Sequence, residues 1–210
     1  MGYLFMEYVP GQSLQDVDLK ENIDIISRVA RILKHLGDIR DGQVPGPIGT
    51  GEPQGYIWGD DGARATFDSM ADMEDWLNKR LLMHEKSINL SSCPLVFCHM
   101  DLCRRNMILE EDDTICLLDW GFAGLYPRFF EIISLSCMSP YDEPYEKPLL
   151  EATKSLFRLT EEENRNMSLV KRARALNLRY SFNDDSAFGL PAGFHLLPPL
   201  PPLPDQPPSP

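Results

Sequence analysis

The sequence predicts an α+β domain, mainly α-helical, with one short β-hairpin at a candidate active site. Three observations predict it. Apolar residues recur at three- and four-residue spacing behind recognisable helix starts. Two short runs of β-forming residues enclose an acidic turn. Beyond residue 182 the chain becomes proline-rich, which divides its 210 residues into 1–14, 15–182 and 183–210.

Along the chain, Tyr3-Leu4-Phe5-Met6 reads as a strand that runs out at Pro10-Gly11. Ile23, Ile26, Val29, Ala30, Leu33 and Leu36 form one face of an amphipathic helix that stops at Gly37. Prolines and glycines alternate quickly from Asp41 to Gly62, including Gly49-Thr50-Gly51. A phosphate-cradling loop would follow a strand and open a helix, and neither neighbour is visible. The segment therefore reads as a long surface loop packed over the domain, with Tyr56 and Trp58 either anchoring it or lining a cleft.

Ser69-x-x-Asp72 opens a second helix, with Met73, Trp76, Leu77 and Leu81 on one face. Met107-Ile108-Leu109, the turn Glu110-Glu111-Asp112-Asp113, and Thr114-Ile115-Cys116-Leu117-Leu118 form the hairpin. Pro127 suits the first turn of a helix through Ile133. Thr160-x-x-Glu163 caps another, containing Met167, Val170, Ala173 and Leu176, with Lys171, Arg172 and Arg174 in its C-terminal half. The tail carries Leu197-Pro198-Pro199-Leu200-Pro201-Pro202-Leu203-Pro204. Such a composition is expected to stay extended, either inert or taken by a WW-type domain.

Chemistry concentrates around the hairpin. His99-Met100-Asp101-Leu102-Cys103-Arg104-Arg105-Asn106 leads into it, and Asp119-Trp120-Gly121 follows it. Opposed Cα atoms of an antiparallel pair lie roughly 4.5–5.5 Å apart. Asn106 and Asp119 are therefore expected to converge at the hairpin's open end, where Mg²⁺ would take their oxygens and leave positions for phosphate. Asp101, on the entering loop, is expected within reach of a substrate hydroxyl proton. Alone, His-x-Asp is an ordinary turn and Asp-Trp-Gly an ordinary strand end; their conjunction across a hairpin carries the reading.

These residues resemble the catalytic loop and metal-binding strand of the aminoglycoside phosphotransferase and choline kinase family, relatives of the protein kinases. The protein-kinase pattern has Arg between His and Asp, and Phe-Gly after the second Asp. Here Met100 and Trp120 stand in those places. With no Arg to receive an activation-loop phosphate, a small-molecule kinase is favoured. The resemblance implies a protein-kinase-like large lobe over about Tyr3 to Tyr180, transferring the γ-phosphoryl group of ATP to a hydroxyl acceptor. It makes Asp101 the catalytic base with His99 bracing its loop, and Asn106 and Asp119 the Mg²⁺ ligands. Tyr3 to Leu14 resembles the hinge, with Met6, Glu7 and Tyr8 beside the adenine.

Upstream of that hinge the family carries a glycine-rich strand pair and a lysine, which this chain does not contain. It is therefore expected to be a truncated kinase with turnover near background. The alternative is a non-catalytic kinase-like binding or scaffold protein that works through its proline-rich tail.

The formal charge of −12 argues against non-specific nucleic-acid binding, which needs a basic face, and it permits a cationic acceptor near Asp60, Asp61, Asp142, Glu143 or Glu146, the alternative being a solvated acidic surface. Hydrophobic content of 43% with 25% charged residues is that of a globular domain. No long apolar stretch suggests a membrane span. Cys93, Cys98, Cys103, Cys116 and Cys137, odd in number and without metal-type spacing, are expected as reduced thiols in the cytoplasm.

Overall fold

The computed structural model describes residues 6–40, 42–138, 141–180 and 182. Tyr3-Leu4-Phe5 of the expected hinge strand and the proline-rich segment 183–210 lie outside them. Within the described part of the hinge, residues 6–10 form no strand, and Met6, Glu7 and Tyr8 are exposed. The first strand, β1, is Gln12–Ser13.

Helix α1, Ile25–Leu36, buries Ile25, Val29, Ala30, Leu33 and Leu36. Ile23, expected on that stripe, lies before the helix and is 80% exposed. Gly37 closes α1 with its N–H on the Leu33 carbonyl at 2.9 Å, in right-handed rather than left-handed conformation. Helix α2, Met70–Leu81, starts as expected: the Ser69 hydroxyl accepts from the Asp72 N–H at 3.2 Å.

The glycine- and proline-rich loop is anchored by Trp58, which is fully buried among Phe67, Trp76, Tyr126 and Phe130 with ring centroids 5.3–6.0 Å away. The loop also contributes strand β2, Gly46–Pro47.

Two small antiparallel sheets frame the middle of the chain. In one, β4 (Met107–Leu109) lies between β1 and β5 (Ile115–Leu117), and Met107 pairs with Leu117. This is the hairpin read from the sequence. In the other, β6 (Gly124–Pro127) lies between β2 and β3 (Leu95–Cys98). The strands approach so closely that a Cβ at Gly124 would sit 2.3 Å from the Gly46 carbonyl oxygen, so only glycine fits.

Pro127 ends β6 and does not start the next helix. Proline blocks further ladder pairing there, and α3 (Phe129–Met138) begins two residues later. Helix α4, Glu143–Phe157, continues through Pro148, and α5 runs from Glu161 to Arg179. The capping box of α5 is complete: the Glu163 N–H donates to the Thr160 hydroxyl at 3.1 Å, and the Thr160 N–H donates to the Glu163 carboxylate at 2.8 Å. Helix α1 packs mainly on α4, α2 on α5, and α3 against both α4 and α5. No helix among the described residues is long and apolar enough to cross a membrane.

Burial predicts unequal costs. Trp58→Ala should destabilise by about 3–5 kcal/mol through its cavity, whereas Ile23→Ala should change stability by less than about 0.5 kcal/mol. Urea midpoints of the two variants check both. Similar losses would contradict the placement of Trp58.

Candidate active site

The loop between β3 and β4 is held from below by α3. The Glu131 carboxylate, 3% exposed, accepts from the His99 N–H at 2.6 Å and from the Met100 N–H at 3.1 Å. The Ser134 hydroxyl donates to the Met100 carbonyl. Met100 needs this support because it takes a left-handed φ of 70°, which costs a side-chain-bearing residue free energy. On the next turn of the loop, the Tyr145 hydroxyl of α4 donates to the Leu102 carbonyl at 3.0 Å. Arg104 pairs with Asp142 and donates to the carbonyls of Leu14 and Val17, which joins the loop to the segment after β1.

His99 is fully buried, and burial lowers its pKa below the ordinary histidine value. Its Nδ1 faces the Asp101 N–H at 3.3 Å and its Nε2 the Leu118 carbonyl at 2.9 Å. That pairing assigns a neutral ring with the proton on Nε2. The Leu118 N–H in turn donates to the Asn106 carbonyl at 2.8 Å. Leu118 is thus fixed on both sides, and the ladder extends to the position just before Asp119.

Asp119 also adopts left-handed backbone, with φ of 57°, which aspartate tolerates. Its Oδ1 accepts from the Gly121 N–H at 3.4 Å across the turn Trp120–Phe122. Trp120 covers His99 and stacks on Phe97.

Asp101 is 4% exposed. Its Oδ2 accepts from the Asn106 amide at 3.0 Å and pairs with Arg105 at 3.3 Å. Its Oδ1 is buried with no hydrogen-bond partner among the described residues. The Asn106 amide donates additionally to the Asp101 carbonyl at 3.0 Å.

Asp101 and Asp119 line one cavity of about 400 Å³ together with Tyr56, Asp60, Arg105 and Arg174. Asn106 lies against Asp101 rather than in that lining, and Met6, Glu7 and Tyr8 are not among its walls. Of the other acids considered, Asp61 pairs with Arg64 and Asp142 with Arg104. All five cysteines are free.

The model of the phosphotransferase enzyme family matches residues 1–164. This chain belongs to that phosphotransferase family. No curated protein matches it. The family has the protein-kinase-like fold that the catalytic-loop residues implied, and the five α-helices and two small sheets among the described residues agree with it.

Sequence reasoning missed three residues that shape this candidate site. Glu131 was visible as the lone charge in the apolar run Phe129-Phe130-Glu131-Ile132-Ile133, a pattern that marks a buried, partnered carboxylate. Tyr145 and the placement of Arg174 left no local signal.

The Glu131 carboxyl is pushed up to about 7 from an ordinary 4.5, chiefly by burial and against its two amide bonds. A raised folded-state value gives stability that is complete below the unfolded value and lost as pH rises through the folded one. Wild-type stability should therefore fall between about pH 4.5 and 7. Glu131→Gln keeps an acceptor oxygen and removes the titration. Its stability relative to wild type should rise across that window, by an amount on the order of 3 kcal/mol. Parallel stability–pH curves for the two proteins would contradict it.

Proposed function

We propose that this phosphotransferase carries the γ-phosphoryl group of ATP to the hydroxyl of a small molecule. The observation that carries the reading is the divided carboxylate of Asp101, with Oδ2 held by Asn106 and Arg105 and Oδ1 left without a partner beside the cavity that Asp119 shares. A buried acceptor atom without a partner is costly, and a substrate hydroxyl donating to it would relieve that cost.

In this reading the acceptor hydroxyl gives its proton to Asp101 as its oxygen forms the bond to the γ-phosphorus. The bond from that phosphorus to the β–γ bridging oxygen breaks, and ADP leaves. His99 acts as a positioning residue, setting the Asp101 backbone through Nδ1 and the strand before Asp119 through Nε2.

The donors present suit Mg²⁺. They are hard oxygens, and the Asp119 carboxylate has one long bond among the described residues. Because the Asn106 amide nitrogen is occupied by Asp101, its oxygen is the atom left to serve as a ligand. No group of three or more His, Cys, Asp or Glu that could hold a metal gathers among the described residues. That agrees with a cation that takes one or two protein oxygens and completes its shell with phosphates. When bound, Mg²⁺ would neutralise charge on the transferring phosphoryl group. Met6, Glu7 and Tyr8 are proposed to meet the adenine, supported by the family resemblance of their segment.

Two variants test the assignment. Measured with the family's glycine-rich strand pair and lysine fused upstream, Asp101→Asn should lower phosphoryl transfer to a hydroxyl acceptor by about 10²–10⁴-fold, as loss of a general base does, while MgADP still binds. Asp119→Ala should weaken MgADP binding at least about tenfold in calorimetry, the loss of a direct metal ligand. Full transfer by Asp101→Asn, or unchanged MgADP binding by Asp119→Ala, would refute the corresponding role.

A further inference from the structure

Two arginines face the cavity, and one residue holds both. The Tyr56 hydroxyl lies 3.5 Å from Nη2 of Arg105, and the Tyr56 carbonyl accepts from Nε of Arg174 at 2.6 Å. Arg105 comes from the catalytic loop and Arg174 from α5, so Tyr56 sets two guanidinium groups from different elements around one space.

The two differ in how they are satisfied. Arg105 already pairs with Asp101. Arg174 is half-buried, and beyond its Nε bond neither Nη group has a hydrogen-bond or ion-pair partner among the described residues. That is unusual within this molecule, where the half-buried Arg104 and Arg128 are each paired with a carboxylate, Asp142 and Glu163. A partly desolvated guanidinium presents a fixed fork of donors that matches a carboxylate in two-point contact. Here the Nε bond fixes the plane of that fork, and the cavity lies beside it.

We infer that the acceptor carries a carboxylate as well as its hydroxyl, and that Arg174, held by Tyr56, receives it. This rests on the phosphotransferase reading of the cavity. A carboxylate is favoured here over the cationic acceptor that the overall acidity permits. Of the acids considered for that role, Asp60 is the one in the cavity lining, while Asp61 and Asp142 are committed to arginines. Asp101 and Asp119 are committed to the reaction itself. Arg174 and Asp119 line the same cavity from different elements: Arg174 belongs to α5 and is held by the Tyr56 carbonyl, whereas Asp119 ends the hairpin. A carboxylate anchored there would leave the acceptor's hydroxyl to reach Asp101.

Binding measurements on the full chain test this without needing turnover. The probes are 4-hydroxybutyrate, its neutral amide and 4-aminobutan-1-ol, followed by ligand-observed NMR in the presence of MgADP. Wild type should bind the carboxylate at least about tenfold more tightly than the amide or the amino alcohol, the factor of roughly one well-made charged contact. Arg174→Gln should abolish that preference. Arg174→Lys keeps the charge without the fork and should retain only part of it, which separates lost recognition from a loosened Tyr56 loop; melting temperatures of both variants control for folding.

Equal binding of carboxylate and amide, tighter binding of the amino alcohol, no detectable carboxylate binding, or a preference that survives Arg174→Gln would overturn the inference. So would an Arg174→Gln variant that loses MgADP affinity but keeps the carboxylate preference, since Arg174 would then serve a nucleotide phosphate. Failure of the phosphotransferase reading appears separately, in the Asp101 and Asp119 variants.

Discussion

One buried carboxylate organises the site. Glu131 takes the amides of His99 and Met100 at the point where the backbone turns left-handed. A non-glycine residue in that region costs roughly 1–3 kcal/mol and persists only where its surroundings over-determine it. Here they do: two N–H groups on one carboxylate, a serine hydroxyl on the Met100 carbonyl, and a side chain 1% exposed in the core. Release of that turn would let Asp101 leave the cavity, because the residues from His99 to Asp101 are a single continuous kink.

The position of Glu131 on α3 extends this local constraint through the domain. Helix α3 packs against both α4 and α5. From α4 come the Tyr145 bond to Leu102 and, at its start, the Asp142 pair with Arg104. From α5 comes Arg174, joined through Tyr56 to the loop that Trp58 anchors in the core. Asp101, the arginines and the cavity wall therefore share one rigid support. On the other side, His99 and Asn106 clamp Leu118, so the hairpin that ends near Asp119 is tied to the same loop.

Much of this was legible in the sequence, and the reasons differ by element. The hairpin was readable because two β-forming runs flank an acidic turn, and α2 and α5 because Ser69 and Thr160 announce their starts with acids three residues on. Helix α4 was not, because Pro148 argues against a helix interior that packing on α1 and α3 nevertheless stabilises. Ile23 satisfied the spacing of α1 yet lies outside it, since periodicity does not fix where a helix begins. The order Asp101, Asn106, Asp119 was legible as a motif, whereas the support beneath it was not. Glu131 meets His99 and Met100 across some thirty residues, and no local pattern encodes such a contact.

The same distinction separates net charge from the field a ligand meets. A formal charge of −12 suggests an attraction for cations, but charges on an exposed surface are screened within about 8–10 Å at physiological salt. What a bound molecule senses is the short list of groups that line its cavity and still lack partners. Lys34 and Asp38, Arg64 and Asp61, Arg104 and Asp142, and Arg128 and Glu163 satisfy one another and contribute little there. With Asp101 occupied on one oxygen by Arg105 and Asp119 proposed as a metal ligand, Arg174 and Asp60 remain as the groups that set the sign of the acceptor side. Arg174 is held in a fixed plane by Tyr56, whereas Asp60 is exposed and free to be solvated. A preorganised, partly desolvated cation outweighs a hydrated anion in selecting a ligand, because the cation has already lost its water and the anion has not.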